Sequence, residues 1–235
     1  MSLASQSPSA PASSTVERAI VSVALLALLL ANALVFLYVP NEKFMGPVQR
    51  ILYFHAGSAT ATYIAIFTVF VSGVWYLATR DGRADALGHA ASEVAFTLCT
   101  VVMLTGMIWG EAAWNTMFRM EPRLVSFLFL WLLLLSLVAL RRFGAGGSVQ
   151  SHCAVLGIIA ALTVPLVVYS IQLLPQVAQL HPQVVAQGGL KEPAFNQTLA
   201  VSMVALTLFS GVLIYLQMRV KLLETEVRRL AMVCK

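Results

Sequence analysis

The sequence is poor in charge. Only 11% of its 235 residues are Asp, Glu, Lys or Arg, less than half the roughly 25% usual in soluble domains. That excludes an ordinary water-facing surface. Cysteine is scarce: Cys99, Cys153 and Cys234 are scattered and form no CxxC. They indicate neither a disulfide framework nor a thiol-exchange site, and read as two packing residues and a tail thiol. Alternation is also missing. LALLLANALVFL and LFLWLLLLSLVAL are continuous apolar runs, which excludes a membrane β-barrel, whose segments of about 10 residues alternate. Ionisable residues inside the apolar runs are almost absent. Glu93 stands alone near the inner end of the third run, where solvation at the interface accounts for it, so the usual mark of a transporter or channel is not seen.

What remains is apolar length. Mean hydropathy is +0.84, and six stretches, at 19–39, 53–78, 90–109, 124–140, 152–174 and 196–218, approach the ~20 residues needed to cross the hydrocarbon. Backbone groups in lipid must be satisfied within helices. The expected fold is therefore all-α, a polytopic bundle of six transmembrane helices. The first run continues through LVFLYV past the small triplet Ala31-Asn32-Ala33 and exceeds the roughly 7–15-residue core of a signal peptide, so it reads as an uncleaved span. Residues 1–18, rich in Ser, Ala and Pro, read as a disordered tail before the 19–218 membrane domain. Residues 219–235 read as an amphipathic helix lying along the inner membrane surface, with Leu222, Leu223, Val227, Leu230 and Val233 at helical spacing. A partner-binding coiled coil is the alternative.

Six spans put both termini on one side. That side carries Arg18, Arg80, Arg83, Arg141, Arg142, Arg219, Lys221, Arg228, Arg229 and Lys235, and the other carries only Lys43, Arg50, Arg119, Arg123 and Lys191. The positive-inside rule makes the richer side, with both termini, cytoplasmic. The formal charge of +5 is thereby spent on topology and gives no reason to invoke nucleic acid. Segments 40–52, 110–123 and 175–195 then face outward, and function is expected there.

His89 and His152 lie at the inner ends of spans and read as interfacial. His55, near the outer end of the second span, and His181, in an outer segment, lie at about the same membrane depth. Two imidazoles flanking an apolar and aromatic surface suit axial ligation of a haem iron. Tetrahedral zinc would need further ligands, which Glu111 or Glu121 could supply. On the same face runs WGEAAWNTMFRMEPR, from Trp109 to Arg123. Interfacial Trp is expected on structural grounds, but the crowding of Arg119, Glu121 and Arg123 is less easily explained that way. Arginine is a fork donor for carboxylates, and haem carries two propionates. A salt-bridged interfacial loop is the competing reading.

The residues at this point resemble the cytochrome c assembly proteins of the CcmC/CcsA type, also called haem exporter protein C. The resemblance spans about residues 19–220. The family's outer tryptophan-rich "WWD" segment is matched by Trp109, Gly110, Trp114, Thr116 and Arg123 without a gap. Its first outer histidine is matched within Arg50-Ile51-Leu52-Tyr53-Phe54-His55. The later Val-Pro…Tyr-Ser element is matched by Val164-Pro165 and Tyr169-Ser170, and the second histidine by Leu180-His181-Pro182. The resemblance implies a haem b site on the outer face, with the segment Trp109, Trp114, Met117, Phe118, Met120 and Arg123 against the porphyrin. It implies His55 and His181 as axial ligands of the iron. It also implies delivery to a periplasmic haem chaperone or apocytochrome c, and ABC-transporter-type or other assembly subunits as partners in a bacterial inner membrane.

The departures are specific. Met117, Phe118 and Met120 stand where the family has tryptophan, Asn115 where it has glycine, and Glu121 where it has aspartate. Leu173-Leu174 replace a Trp-Trp pair. Met and Phe keep apolar, polarizable contact but supply no indole N–H. The expectation is a haem-handling assembly factor rather than an enzyme. The alternatives are a divergent subunit with a degenerate haem site, a b-type electron-transfer subunit and a membrane transporter subunit.

Overall fold

A computed structural model describes residues 14–43, 45–174 and 192–233. Six helices are long and apolar enough to cross a membrane. They are α1 (Thr15–Ala33, continued by a π-helical turn Leu34–Tyr38), α2 (Ile51–Thr79, entered through a 3-10 turn Pro47–Arg50), α3 (Gly82–Trp114), α4 (Pro122–Phe143), α5 (Val149–Leu173) and α6 (Pro193–Val233). The multi-pass, all-helical reading holds.

Local chemistry moves several boundaries. The tail ends earlier than residue 18, because Ser14 and Glu17 form a reciprocal capping box that starts α1 at Thr15. The charged turn between the second and third spans shrinks to two residues. Arg80 closes α2 in the left-handed region, and the Asp81 side chain accepts from the Arg83 amide to start α3. The carboxyl end of α3 reaches Trp114, so both tryptophans are helical, and left-handed Asn115 stops it.

The tail of α6 continues the last span. No Gly or Pro occurs from Val212 to Val233, and α6 runs unbroken for 41 residues. At 1.5 Å per residue that is about 60 Å, twice the hydrocarbon thickness. The segment after 218 therefore continues the last span as one helix.

The bundle is organised around α2 and α3, which pack closely along their length. The pair α1–α6 covers one face and α4–α5 the other. Alanines make the α2–α3 approach possible: Ala61, Ala65, Ala90, Ala91 and Ala95 are fully buried, the small-residue packing expected between membrane helices. Larger side chains, Ile66, Leu130, Leu134 and Val167, fill the remaining core.

One end of the bundle is closed by polar pairs. Arg141 on α4 donates to Asp85 on α3, and Arg80 donates to Ser151 on α5. Arg219 and Tyr215 on α6 donate to Glu17 on α1. Glu93 lies 3.2 Å from both His89 Nε2 and Lys221 Nζ. Glu93 is thus held by an ion-paired cluster between α3 and α6, a more specific arrangement than interfacial solvation. Cys99 and Cys153 are buried thiols, and Cys234 lies outside the described residues.

Candidate functional site

The opposite end of the bundle is open. There α2, α3, α4 and α5 diverge around a hollow of about 420 Å³, within the size range of small-molecule and cofactor sites. Its walls run along α2 from Leu52 to Tyr63, a rise of about 16 Å along the helix. The hollow therefore reaches towards mid-bilayer and is deeper than a site confined to the connecting loops. A flat ligand can stand on edge within it.

Six of the expected residues meet there: His55, Trp109, Trp114, Met117, Phe118 and Arg123 all line the hollow. Met120 does not. The chain turns tightly between Arg119 and Glu121, with the Glu121 amide donating to the Arg119 carbonyl at 2.8 Å. Met120 sits at the tip of that turn, pointing outward and 84% exposed. His181 lies outside the described residues. Glu111 is exposed on the last turns of α3 and is absent from the lining. Among the described residues no three His, Cys, Asp or Glu side chains gather as a metal site.

His55 sits in the second turn of α2 and faces α3. Its Nδ1 lies 3.0 Å from Thr105 Oγ1. Its ring meets Trp109 edge-on, with centroids 6.2 Å apart, and Trp109 in turn stacks on Trp114 at 6.3 Å. One row of rings thus leads from the imidazole to the rim. The approach of His55 to α3 depends on Gly106, since a Cβ there would sit 3.2 Å from His55 Cε1. Trp109 is almost fully buried, and its Nε1 has no hydrogen-bond partner among the described residues. A buried unpaired donor is costly, so this wall holds a polar group that the described residues leave unsatisfied.

The rim is made by residues 115–121, folded back over the last turn of α3. Gly110 permits this fold, because a Cβ there would lie 2.7 Å from the Thr116 carbonyl oxygen. Gly110→Ala is expected to push the segment outward, weakening ligand retention while leaving helix content unchanged. Circular dichroism and haem titration on the same sample check both halves. Glu121 is buried, 3.8 Å from the Arg119 Nε. Arg119 and Arg123 bring two guanidiniums to the same wall. Arg123 stands on the first turn of α4, after Pro122 at the helix start, where partial positive charge favours anions.

The spans also contribute lining residues that the loop pattern did not single out: Tyr63, Met103, Met107, Phe127, Val167 and Met203. With Met117, four thioethers face one hollow. They suit a broad polarizable surface that adapts in shape. The whole suits a porphyrin: one imidazole, apolar walls, and arginines on the lining for carboxylates.

Known proteins resemble this chain over most of its length. The family model described as heme exporter protein C matches residues 1–233. Heme exporter protein C of Bradyrhizobium diazoefficiens is 27% identical over 194 residues, covering 82% of this chain and 74% of that protein. The protein of the same name from Escherichia coli K12 is 25% identical over 199 residues, covering 83% and 78%. That of Rhodobacter capsulatus is 28% identical over 105 residues, covering 45% and 43%.

Proposed function

The chain belongs to the heme exporter protein C family, a multi-pass membrane protein with a role in haem handling for cytochrome c maturation, and from that premise we propose where and how it holds its cargo. Haem b would be held in the hollow walled by α2, α3, α4 and α5, with His55 and His181 as the residues that hold its iron. Arg123 and Arg119 would hold the propionates. The hollow opens on the periplasmic face, a reading supported by the excess of Lys and Arg on the opposite side of the membrane. Cargo leaves there to a haem chaperone or apocytochrome c, with ABC-transporter-type subunits as neighbours. No bond of the substrate is made or broken by this chain, which is a carrier and not an enzyme.

The observation that carries the reading is the convergence of His55, Trp109, Trp114, Phe118 and Arg123 on one hollow. They come from three helices and a loop, and are separated by up to 68 positions in sequence. What they offer is complementary to haem: an imidazole, aromatic walls and a cationic group. When bound, haem supplies the iron, and the chain positions the ring and keeps water from its faces.

The test is the absorption spectrum of the detergent-purified chain, before and after haem is supplied, for the wild type and for His181→Ala. A Soret band in the wild type that shifts or weakens in the variant supports the reading. A wild type that takes up no haem would instead favour a divergent assembly subunit with a degenerate site. A separate expectation concerns the rim. Arg123→Ala should weaken haem retention by about ten- to a hundred-fold, the worth of a charge-assisted hydrogen bond of about 1.5–3 kcal/mol. Arg123→Lys should recover part of it. The loss should vanish for a porphyrin lacking propionates. Titration of both porphyrins into both variants checks this.

A further inference from the structure

Thr105 has no part in the family resemblance, yet it is the polar side chain that meets His55 at Nδ1. Its hydroxyl has a single hydrogen. Thr105 Oγ1 lies 2.7 Å from the Val101 carbonyl oxygen and 3.2 Å from that of Val102, the usual back-bond of a threonine in a membrane helix. An O···O separation of 2.7 Å without an intervening hydrogen would be repulsive, so the hydrogen lies towards Val101. The hydroxyl oxygen can then only accept at its other contact. His55 Nδ1, 3.0 Å away, must be the donor. A neutral imidazole with its proton on Nδ1 carries its lone pair on Nε2.

From this geometry we propose that Thr105 is a positioning residue of the site: its hydroxyl, beside the Val102 backbone that also hydrogen-bonds the imidazole, holds the tautomer and ring angle of His55 and presents Nε2 as the iron-binding nitrogen. The inference rests on the reading of the hollow as a haem site. Gly106, the next residue, completes the arrangement, since its missing side chain leaves room for His55 Cε1. One turn of α3 thus holds the imidazole both by a hydrogen bond and by shape. Second-shell acceptors of this kind raise the basicity of a ligating histidine and fix its orientation. A more basic ligand favours the ferric iron, so the contact also lowers the reduction potential of the bound haem.

Thr105→Val removes the hydroxyl with little change of shape, and Thr105→Ser restores it without the methyl. Both are purified in detergent beside the wild type, loaded with haem, and compared for haem affinity, absorption spectrum and reduction potential. Thr105→Val should weaken haem binding about 10- to 100-fold and move the potential in the positive direction. Thr105→Ser should stay close to the wild type in all three. Unchanged affinity and potential in Thr105→Val, or a serine variant as impaired as the valine variant, would overturn the role given to the hydroxyl while leaving the haem site intact. A wild type that binds no haem would remove the reading of the hollow itself, and this proposal with it.

Discussion

Replacing His55 with alanine is expected to lower haem affinity by more than about 100-fold, beyond the range that second-shell partners of a ligand are worth. His55 is the only histidine among the described residues that lines the hollow, and its ring is held on two sides, by Thr105 and by Trp109. Alanine leaves a space of imidazole size in an otherwise unchanged wall. Free imidazole added to the variant should therefore enter that space and restore much of the Soret absorption. Titration of haem into the variant, with and without imidazole, measures both effects. Retention of wild-type affinity by His55→Ala would show that the iron is held elsewhere.

The second large effect belongs to stability, at the other end of the bundle. Arg141 is 8% exposed and its only charged partner among the described residues is Asp85, at 2.5 Å. Asp85→Ala leaves a guanidinium buried without its counter-charge, and such losses run to about 3–5 kcal/mol. The variant should unfold at distinctly lower temperature or denaturant concentration. Removing both groups, in Asp85→Ala with Arg141→Leu, should recover most of the loss, since no uncompensated charge remains. A double variant as unstable as the single one would mean that the pair acts through geometry rather than charge. Haem affinity of either variant, measured below its unfolding transition, should stay near that of the wild type, because the pair lies far along α3 from His55.

The spans were legible in the sequence because length and apolar content decide them, and nothing in the tertiary structure competes. Helix ends were less so. Trp114 belongs to α3 because Asn115 adopts a left-handed stop, and Arg83 and Asp85 belong to α3 because Asp81 caps it two residues after α2 ends. Both decisions rest on single side chains inside polar stretches that otherwise read as loop. His55, Trp109 and Arg123 were visible as chemistry that an apolar chain does not need, and their order in sequence hid only their convergence. Thr105, Gly106, Met103 and Met107 were invisible for the opposite reason. Inside a continuous apolar run every face of the helix has similar hydropathy, so no periodicity marks the one that borders a cavity. A weak signal existed: Met103, Gly106 and Trp109 recur at three-residue spacing below the tryptophan segment. The depth of the hollow depends on how far α4 and α5 splay from α2 and α3, which no local pattern encodes.

The iron position in a haem-loaded particle map tests the central claim most directly. Iron density inside the hollow walled by α2, α3, α4 and α5, bonded to His55 Nε2, is the expected result. Iron density outside those helices, or a hollow filled by lipid while haem sits at another surface, would contradict it.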